Sequence, residues 1–348
     1  MPPALAAGDL VPRIALPGPD GKIVDLGHQT IAGNAVVLWL AGPAPDAAAF
    51  ARLAALLPRL KAAEALAYAV VAVPPAAAEA PAPVLFDPER KLLAPFGLNG
   101  PGIVVYDSDR RLAAVLPDSD FAAAAALCER LFAATGPLTV SRQAPVLMLP
   151  GVFEPALIAE LLGYWDKGDK KSDAVATAAG RDYGAPDVKK RIDVVVTDAA
   201  LSAKLQERLT RRVAPEIAKA YQHAVGYLEP FRIGCYDSAS GGHFLRHRDN
   251  STRYTAHRLF AVTLNLNTGE YTGGGVRFPE YGRMVYAPEA GAAVVFSCAL
   301  LHEVLPVTQG RRFGVFTFMH DEAGERQVQK LIAEERAAGR TGERMSIS

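Results

Sequence analysis

Cysteine is scarce in this sequence, and net charge is absent. The 348 residues include three cysteines, Cys128, Cys235 and Cys298, and none of them forms a CxxC pair. This spacing excludes a disulfide framework and a zinc ribbon, and a reducing compartment is the simpler interpretation. Lys and Arg number 37 and balance 37 Asp and Glu. Because no global basic field results, we expect no nucleic-acid partner.

Long apolar runs are also missing. The most apolar stretches, such as residues 67–74, are short and broken by proline, whereas a membrane helix needs about 20 apolar residues. The first ten residues have neither a basic region nor an apolar core, so they do not form a signal peptide. We therefore expect a cytoplasmic protein without a membrane partner. The length and the 50% apolar content favour two globular domains.

The first part of the chain alternates between strand and helix signals. Short β-rich runs occupy residues 34–40, 68–73, 102–106 and 112–116, and helical patterns occupy residues 46–66 and 120–134. This alternation predicts an α/β domain with a central sheet. Pro58 lies inside the first helical pattern, and we expect it to kink or divide that helix.

This segment resembles the peroxiredoxin branch of the thioredoxin fold over roughly residues 5–135. The resemblance rests on GDLVPRIALPGPDGKIVDL, NAVVLWLAGPAPDAAAF and GLNGPGIVVYDSDRRLAAVL. It implies a thioredoxin-like domain over residues 1–138. A peroxiredoxin needs a nucleophilic thiolate in the loop after the first core strand, but residues 42–46 read GPAPD. We therefore expect a redox-inactive domain that docks a partner, holds substrate or forms a homodimer.

The second part of the chain has a different texture. Residues 139–146 are a predicted linker, and amphipathic helices are predicted at residues 153–165 and, interrupted near Pro215, at 198–224. Short β-rich runs between glycine and proline turns follow, at residues 230–236, 257–267, 276–278, 292–297 and 313–319. This order predicts a double-stranded β-helix, or jelly roll, with a helical buttress over residues 147–322. Residues 323–348 are a charged tail, predicted to form a surface helix.

Two motifs in the second part are typical of a metal site. His247 and Asp249 form an HxD motif, and on extended chain residues i and i+2 point to the same side. His302 follows a strong buried-strand run and is the best candidate for a third ligand. Two histidines and one carboxylate bind one face of an octahedral iron and leave three positions open.

A pair of arginines lies nine and ten residues after His302. Arg311 and Arg312 begin an apolar strand, where an inward guanidinium is costly unless it meets an anion. A guanidinium grips a carboxylate with two parallel hydrogen bonds. The distal carboxylate of 2-oxoglutarate would meet this need, while a surface pair at a strand entry is the alternative.

Together these motifs resemble the iron(II)/2-oxoglutarate-dependent dioxygenases of prolyl 4-hydroxylase type. The resemblance covers residues 146–320 and rests on CYDSASGGHFLRHRDN, GGGVRFPEYG and GAAVVFSCALLHEVLPVTQGRR. It implies that His247, Asp249 and His302 hold Fe(II). It also implies that Arg312, ten positions after the second histidine, binds 2-oxoglutarate, although a spacing of nine leaves Arg311 open.

Two further residues are expected near the co-substrate. Tyr236 matches a tyrosine of the group, and its phenol could donate to a carboxylate. Asn265 stands where several relatives have a tyrosine, so its contact with the co-substrate stays open. Residues 250–258 are either a mobile lid or an ordinary loop. Packing is predicted for His243 and Cys298, and surface or capping positions for His223, His257 and His320.

The resemblance implies an enzyme that hydroxylates a C–H bond and converts 2-oxoglutarate and O2 to succinate and CO2. Ascorbate is the expected reductant. The substrate is either a prolyl residue in a protein or a free small-molecule metabolite. Two hypotheses from other functional classes remain. The protein could be a non-catalytic two-domain binding protein, or a thiol peroxidase, which would need a reactive cysteine.

Overall fold

The computed structural model describes eight segments of the chain. They are residues 4–28, 31–42, 47–73, 82–134, 143–172, 175–176, 182–183 and 188–338. The chain divides into an N-terminal unit, Met1–Thr139, and a C-terminal unit, Val140–Ser348. Of the predicted linker, residues 139–142 lie outside the described segments. Within the rest, Ala144 is buried, and its N–H donates to the Tyr286 hydroxyl.

The described part of the N-terminal unit is built around a five-stranded sheet. Its elements are β1 (Ala15–Pro17), β2 (Ile23–Asp25), β3 (Ala35–Leu40), α1 (Ala47–Ala62), β4 (Ala65–Val71), β5 (Val84–Phe86), β6 (Gly102–Tyr106), β7 (Leu112–Pro117) and α2 (Phe121–Ala134). The sheet order is β5-β4-β3-β6-β7. Strand β3 is parallel to β4 and antiparallel to β6. The predicted thioredoxin-like α/β arrangement is confirmed.

Strand β3 is the centre of this unit because all six of its residues are apolar and buried. On one face of the sheet, Trp39 packs edge-on against Phe50 of α1 and Phe121 of α2, with ring centroids 5.2 and 5.5 Å apart. Cys128 of α2 lies in the same core. Pro58 was expected to kink or divide the helix, and the second alternative is wrong, because α1 continues through it. Residues 43–46 of the cysteine-free loop lie outside the described segments.

In its described residues, the C-terminal unit consists of many short strands and four α-helices. The elements as far as β14 are β8 (Leu147–Leu149), α3 (Pro155–Lys167), β9 (Lys171–Ser172), β10 (Val175–Ala176), β11 (Asp182–Tyr183), β12 (Lys189–Lys190), β13 (Ile192–Val195), α4 (Ala199–Arg212), α5 (Ala214–Tyr221) and β14 (Tyr227–Leu228). The rest are β15 (Arg232–Asp237), β16 (His243–His247), β17 (Phe260–Asn265), β18 (Thr272–Gly273), β19 (Val276–Arg277), β20 (Val285–Tyr286), β21 (Ala293–Ser297), β22 (His302–Val304), β23 (Val307–Gln309), β24 (Arg311–His320) and α6 (Glu322–Ala337).

Two antiparallel sheets form the predicted jelly roll, which is confirmed. The larger sheet has the order β8-β21-β17-β24-β15-β13-β9, with β14 also paired to β24. The smaller sheet has the order β12-β16-β22-β19-β20. Side chains alternate along each strand, so one face of the larger sheet carries the core and the other is free to build a site.

The predicted helical buttress covers one face of the larger sheet. Leucines of α3 and α4, such as Leu161 and Leu205, share a core with Ile233 of β15 and Val315 of β24. The interruption predicted near Pro215 is a break between two helices. Proline fits the first turn of α5 because the backbone N–H that it lacks has no partner there.

The C-terminal tail begins with α6, as predicted. Asp321 caps this helix by accepting a hydrogen bond from the Gly324 N–H. Residues 339–348 lie outside the described segments. Among the helices of the described residues, none is long and apolar enough to span a membrane.

Candidate active site

Three side chains from two distant parts of the chain meet beside the neighbouring strands β16 and β22 of the smaller sheet. His247 ends β16, His302 begins β22, and the two residues are direct partners in the strand register. Asp249 follows β16, and its N–H donates to the Cys298 carbonyl. One potential ligand atom from each of the three lies within 4.8 Å of the others. The structure therefore brings the predicted triad together.

The hydrogen bonds of the two histidines leave one nitrogen of each ring directed at Asp249. The Nδ1 atoms lie 2.7 Å from the Leu245 carbonyl and 3.1 Å from the Leu300 carbonyl, so in the neutral rings Nδ1–H is the donor. The Nε2 atoms each lie 3.4 Å from an Asp249 carboxylate oxygen. Both Nε2 lone pairs are thus available to a cation.

The electrostatics of the triad favour the protonation states that bind a cation. Burial lowers the pKa of His302 to about 4, which keeps its imidazole neutral near pH 7. Burial alone would raise the pKa of Asp249, but the neighbouring His302 and His247 outweigh it and hold the pKa below the ordinary range. A neutral imidazole and a carboxylate are the forms that coordinate metals.

Aromatic side chains surround the triad. Phe244 stacks on His247 with ring centroids 3.5 Å apart, and Phe296 packs edge-on against His302 at 4.6 Å. These contacts fix both imidazole rings and exclude water from their flanks. Two nitrogens and one carboxylate oxygen on one side of a point form the donor set of a non-haem Fe(II) site, so the residues fit that ion.

A cavity of about 160 Å³ opens beside the triad. Cationic side chains outnumber carboxylates on its wall. The charged residues that line it are Lys189, Arg191, Glu229, Arg232, Arg248, Asp249 and Arg258. A wall of this charge suits small anions such as 2-oxoglutarate.

Arg312 and Tyr236 are direct partners in the register of β24 and β15. Both side chains are 1% exposed, and the Arg312 guanidinium lies 5.5 Å from the Tyr236 ring centroid. Arg312 donates to the Gly274 carbonyl at 2.6 Å, and its Nε is buried with no hydrogen-bond partner among the described residues. An acceptor such as a carboxylate would satisfy this nitrogen, so the residues fit the co-substrate. Arg311 is exposed.

Asn265 holds Arg312 in place. Its Oδ1 accepts from Arg312 Nη2 at 2.9 Å, and its Nδ2 lies within 3.2 Å of the Thr268 hydroxyl, the Tyr271 hydroxyl and the Pro288 carbonyl. Neither Asn265 nor Arg312 is among the described residues that line the cavity, whereas Tyr236 is. The hydrogen bond from Arg312 Nη2 thus gives Asn265 a supporting contact with the guanidinium.

The sequence reasoning missed two ion pairs at the cavity wall. Arg191 and Asp193 form a bidentate pair with distances of 2.6 and 2.7 Å. Arg258 forms another with Glu229, at 2.6 and 2.7 Å. The alternating Arg-Ile-Asp of residues 191–193 was the available signal, because positions i and i+2 of a strand share a face.

Residues 250–258 are tied to α6. Arg253 forms an ion pair with Glu334, and the Tyr254 hydroxyl donates to Glu335 at 3.0 Å. Thr255 is buried and lines the cavity. The contacts are those of an ordinary packed loop, which was one of the two predictions for this segment.

The prediction of surface positions is wrong for His257 and His320. His257 is 2% exposed and pairs with Glu229, and His320 is 3% exposed and pairs with Glu325. A carboxylate partner offsets the free-energy cost of burying each imidazole ring. The polarity of histidine alone does not indicate that such a partner exists. His223 contacts Asp321, the cap of α6. The predicted burial of Cys298 is confirmed.

Comparisons with known proteins agree with this geometry. Residues 231–320 match the family model of the 2OG-Fe(II) oxygenase superfamily. This segment holds the triad, Tyr236 and Arg312. The chain therefore contains a 2OG-Fe(II) oxygenase domain.

Curated relatives and solved structures extend the comparison. The chain is 28% identical over 169 residues to procollagen-lysine,2-oxoglutarate 5-dioxygenase 1 of Mus musculus, a match that covers 46% of this chain and 21% of the relative. The chain thus spans about a fifth of the length of the curated relatives it matches.

Among solved structures, a prolyl-4-hydroxylase of Pseudomonas putida is 18% identical, with a TM-score of 0.41, and the match covers 52% of this chain and 94% of that one. Peroxidoxin BcpB of Mycobacterium tuberculosis is 19% identical, with a TM-score of 0.32, and the match covers 38% of this chain and 99% of that one.

Proposed function

We propose that this protein is an Fe(II)- and 2-oxoglutarate-dependent dioxygenase that hydroxylates a C–H bond. The convergence of His247, Asp249 and His302 at the wall of one cavity carries the proposal. When bound, Fe(II) with 2-oxoglutarate and O2 supplies the oxidising power, and succinate and CO2 are the co-products. The catalytic domain would be residues 147–322.

Each residue has a defined part in this proposal. The Nε2 atoms of His247 and His302 and the carboxylate of Asp249 would hold the metal on one face. Arg312 and the Tyr236 hydroxyl would bind the distal carboxylate of 2-oxoglutarate by charge-assisted hydrogen bonds. Phe244 and Phe296 would keep water from the imidazole rings.

The family indicates only the class of substrate and not the particular molecule. The names of the curated relatives refer to lysyl residues of procollagen, and the name of the Pseudomonas putida structure refers to prolyl residues. We propose a prolyl residue in a protein or a free metabolite as the substrate here, with ascorbate as reductant. Residues 1–138 would be a redox-inactive module that mediates a homodimer, which light scattering of the full chain and of a chain lacking them would check.

The test measures metal, succinate and product together. The full chain is loaded with Fe(II) without oxygen and then incubated with 2-oxoglutarate, 18O2 and separate peptide and metabolite pools. Succinate formation and a product heavier by one labelled oxygen are expected, and both should disappear in His247→Ala. A wild-type chain that binds no iron and forms no succinate would contradict the proposal.

A further inference from the structure

The Arg191 side chain lies on the face of the larger sheet that lines the cavity. Its guanidinium and the Asp193 carboxylate are joined at two points, and their side chains are 8% and 4% exposed. Gly234, paired with Asp193 in the strand register, leaves the space for them. A Cβ at residue 234 would lie 2.6 Å from Asp193 Oδ1 and 2.9 Å from Arg191 Cδ. A larger residue there would therefore displace the pair.

The guanidinium of Arg191 is directed at Tyr236. It lies 4.3 Å from the centre of the Phe316 ring, and Phe316 in turn packs edge-on against Tyr236. Arg191 Nη1 is 3.5 Å from the Tyr236 hydroxyl oxygen. The stacking and the Asp193 pair fix the plane of the guanidinium, so this nitrogen is held beside the phenol.

This contact determines where the phenol proton points. A guanidinium only donates hydrogen bonds, so the Tyr236 oxygen accepts from Arg191 and its own proton must go elsewhere. No acceptor for that proton lies among the described residues, and Tyr236 lines the cavity. The neighbouring Arg312 Nε–H is likewise without an acceptor. Two such donors on directly paired residues suit the two oxygens of a carboxylate.

We propose that Arg191, held by Asp193, is a positioning residue that directs the Tyr236 hydroxyl proton toward the distal carboxylate of 2-oxoglutarate. The proposal rests on the proposed function. Arg191 acts through Tyr236, so its contribution to co-substrate binding requires the phenol oxygen.

The test is a double-mutant cycle on binding rather than on turnover. The full chain is loaded with Mn(II), and 2-oxoglutarate is titrated into it by calorimetry without oxygen. The variants are Tyr236→Phe, the charge-neutral change Arg191→Met with Asp193→Asn, and all three substitutions together. The first two should each weaken 2-oxoglutarate binding about tenfold, the size of one charge-assisted hydrogen bond. The triple variant should bind no more than about twofold weaker than Tyr236→Phe.

Arg246→Met is the control, because it removes a guanidinium that is 59% exposed, pairs with Glu303 and is not among the described residues that line the cavity. It should change the affinity for 2-oxoglutarate by less than about threefold. Arg191→Lys serves if the paired change prevents folding. The ammonium of a lysine is a single compact group, so it cannot pair with Asp193 and also reach Tyr236. The same tenfold loss is therefore expected.

The outcomes separate this inference from the proposed function. Losses that multiply in the triple variant, an unchanged affinity without Arg191, or an equal loss in Arg246→Met would each overturn the positioning role and leave the oxygenase intact. A Mn(II)-loaded wild type that does not bind 2-oxoglutarate would overturn the proposed function itself.

Discussion

His247 and His302 face each other as paired residues of two antiparallel strands, with ring centroids 4.1 Å apart. The smaller sheet thus sets the separation of the two imidazoles. Asp249 joins them because the chain turns just after β16, where its N–H is fixed by the Cys298 carbonyl. The metal centre is therefore prepared by backbone hydrogen bonds before any ion binds.

Substitution Asp249→Ala should weaken metal binding. Two histidines alone lack the negative charge and the third donor, so we expect affinity for Co(II), used as a spectroscopic probe, to fall more than about tenfold. Titration followed by visible absorption measures this. His243→Ala is the control, since His243 lies on the same strand but bonds the Gly241 carbonyl. Full Co(II) binding by Asp249→Ala would contradict the assignment.

Arg312 and Arg311 should differ sharply in their effect on the co-substrate. Arg312 is buried beside Tyr236 and Arg311 is exposed. In Arg312→Met we expect the apparent KM for 2-oxoglutarate to rise at least about tenfold, because a charge-assisted hydrogen bond is lost. In Arg311→Met it should stay within about twofold. Initial rates of succinate formation decide between them, and the reverse order would transfer the role to Arg311.

The three cysteines should be unreactive in the folded protein. All are buried, and burial raises the pKa of Cys128 and of Cys235 to about 11 and the pKa of Cys298 well above its usual value. Because the thiolate is the reactive form, Ellman's reagent at pH 8 should label none of them within minutes. In guanidinium chloride all three should react. Rapid labelling of the native chain would contradict this prediction and support the thiol peroxidase hypothesis.

Glu154 should contribute to stability only above acidic pH. A hydrogen bond from Arg208, with Arg212 adding to it, lowers the pKa of Glu154 to about 2. A carboxyl with a lowered folded-state pKa stabilises the protein above its unfolded value of about 4.3, and this contribution is lost as the pH falls toward 2.

Glu154→Gln therefore tests that contribution. At pH 7 it should cost no more than about 1 kcal/mol, since the Glu154 side chain is 37% exposed and partly screened. The difference from wild type should shrink between pH 5 and about pH 2. Calorimetric unfolding at several pH values measures it. A difference independent of pH would show that the ion pairs do not set this pKa.

Most elements were accessible from sequence because their patterns are local. The prediction of a strand at residues 102–106 matches β6, and the helix at 120–134 matches α2 within one residue. The two-residue strands β12 and β20 of the smaller sheet were not separable from turns. Strands this short contain less than one full alternation, so periodicity carries no signal.

The residues of the site also divide into those that the sequence predicted and those that only the fold brings together. His247, Asp249, His302 and Arg312 stand in motifs with regular spacing, so sequence alone nominated them. Arg191 and its contact with Tyr236 depend on β13 lying next to β15, a pairing between distant parts of the chain. No local pattern encodes that adjacency.

Sequence by itself determined which chemical groups this protein has: two imidazoles and a carboxylate in HxD…H order, a basic residue after them, and no thiol in the first-domain loop. Tertiary structure alone decided which arginine is buried, which histidines are paired with carboxylates, and which guanidinium reaches the phenol. The reason is physical, because side-chain chemistry is a property of each residue. Burial and hydrogen-bond partners are created only when distant strands come together.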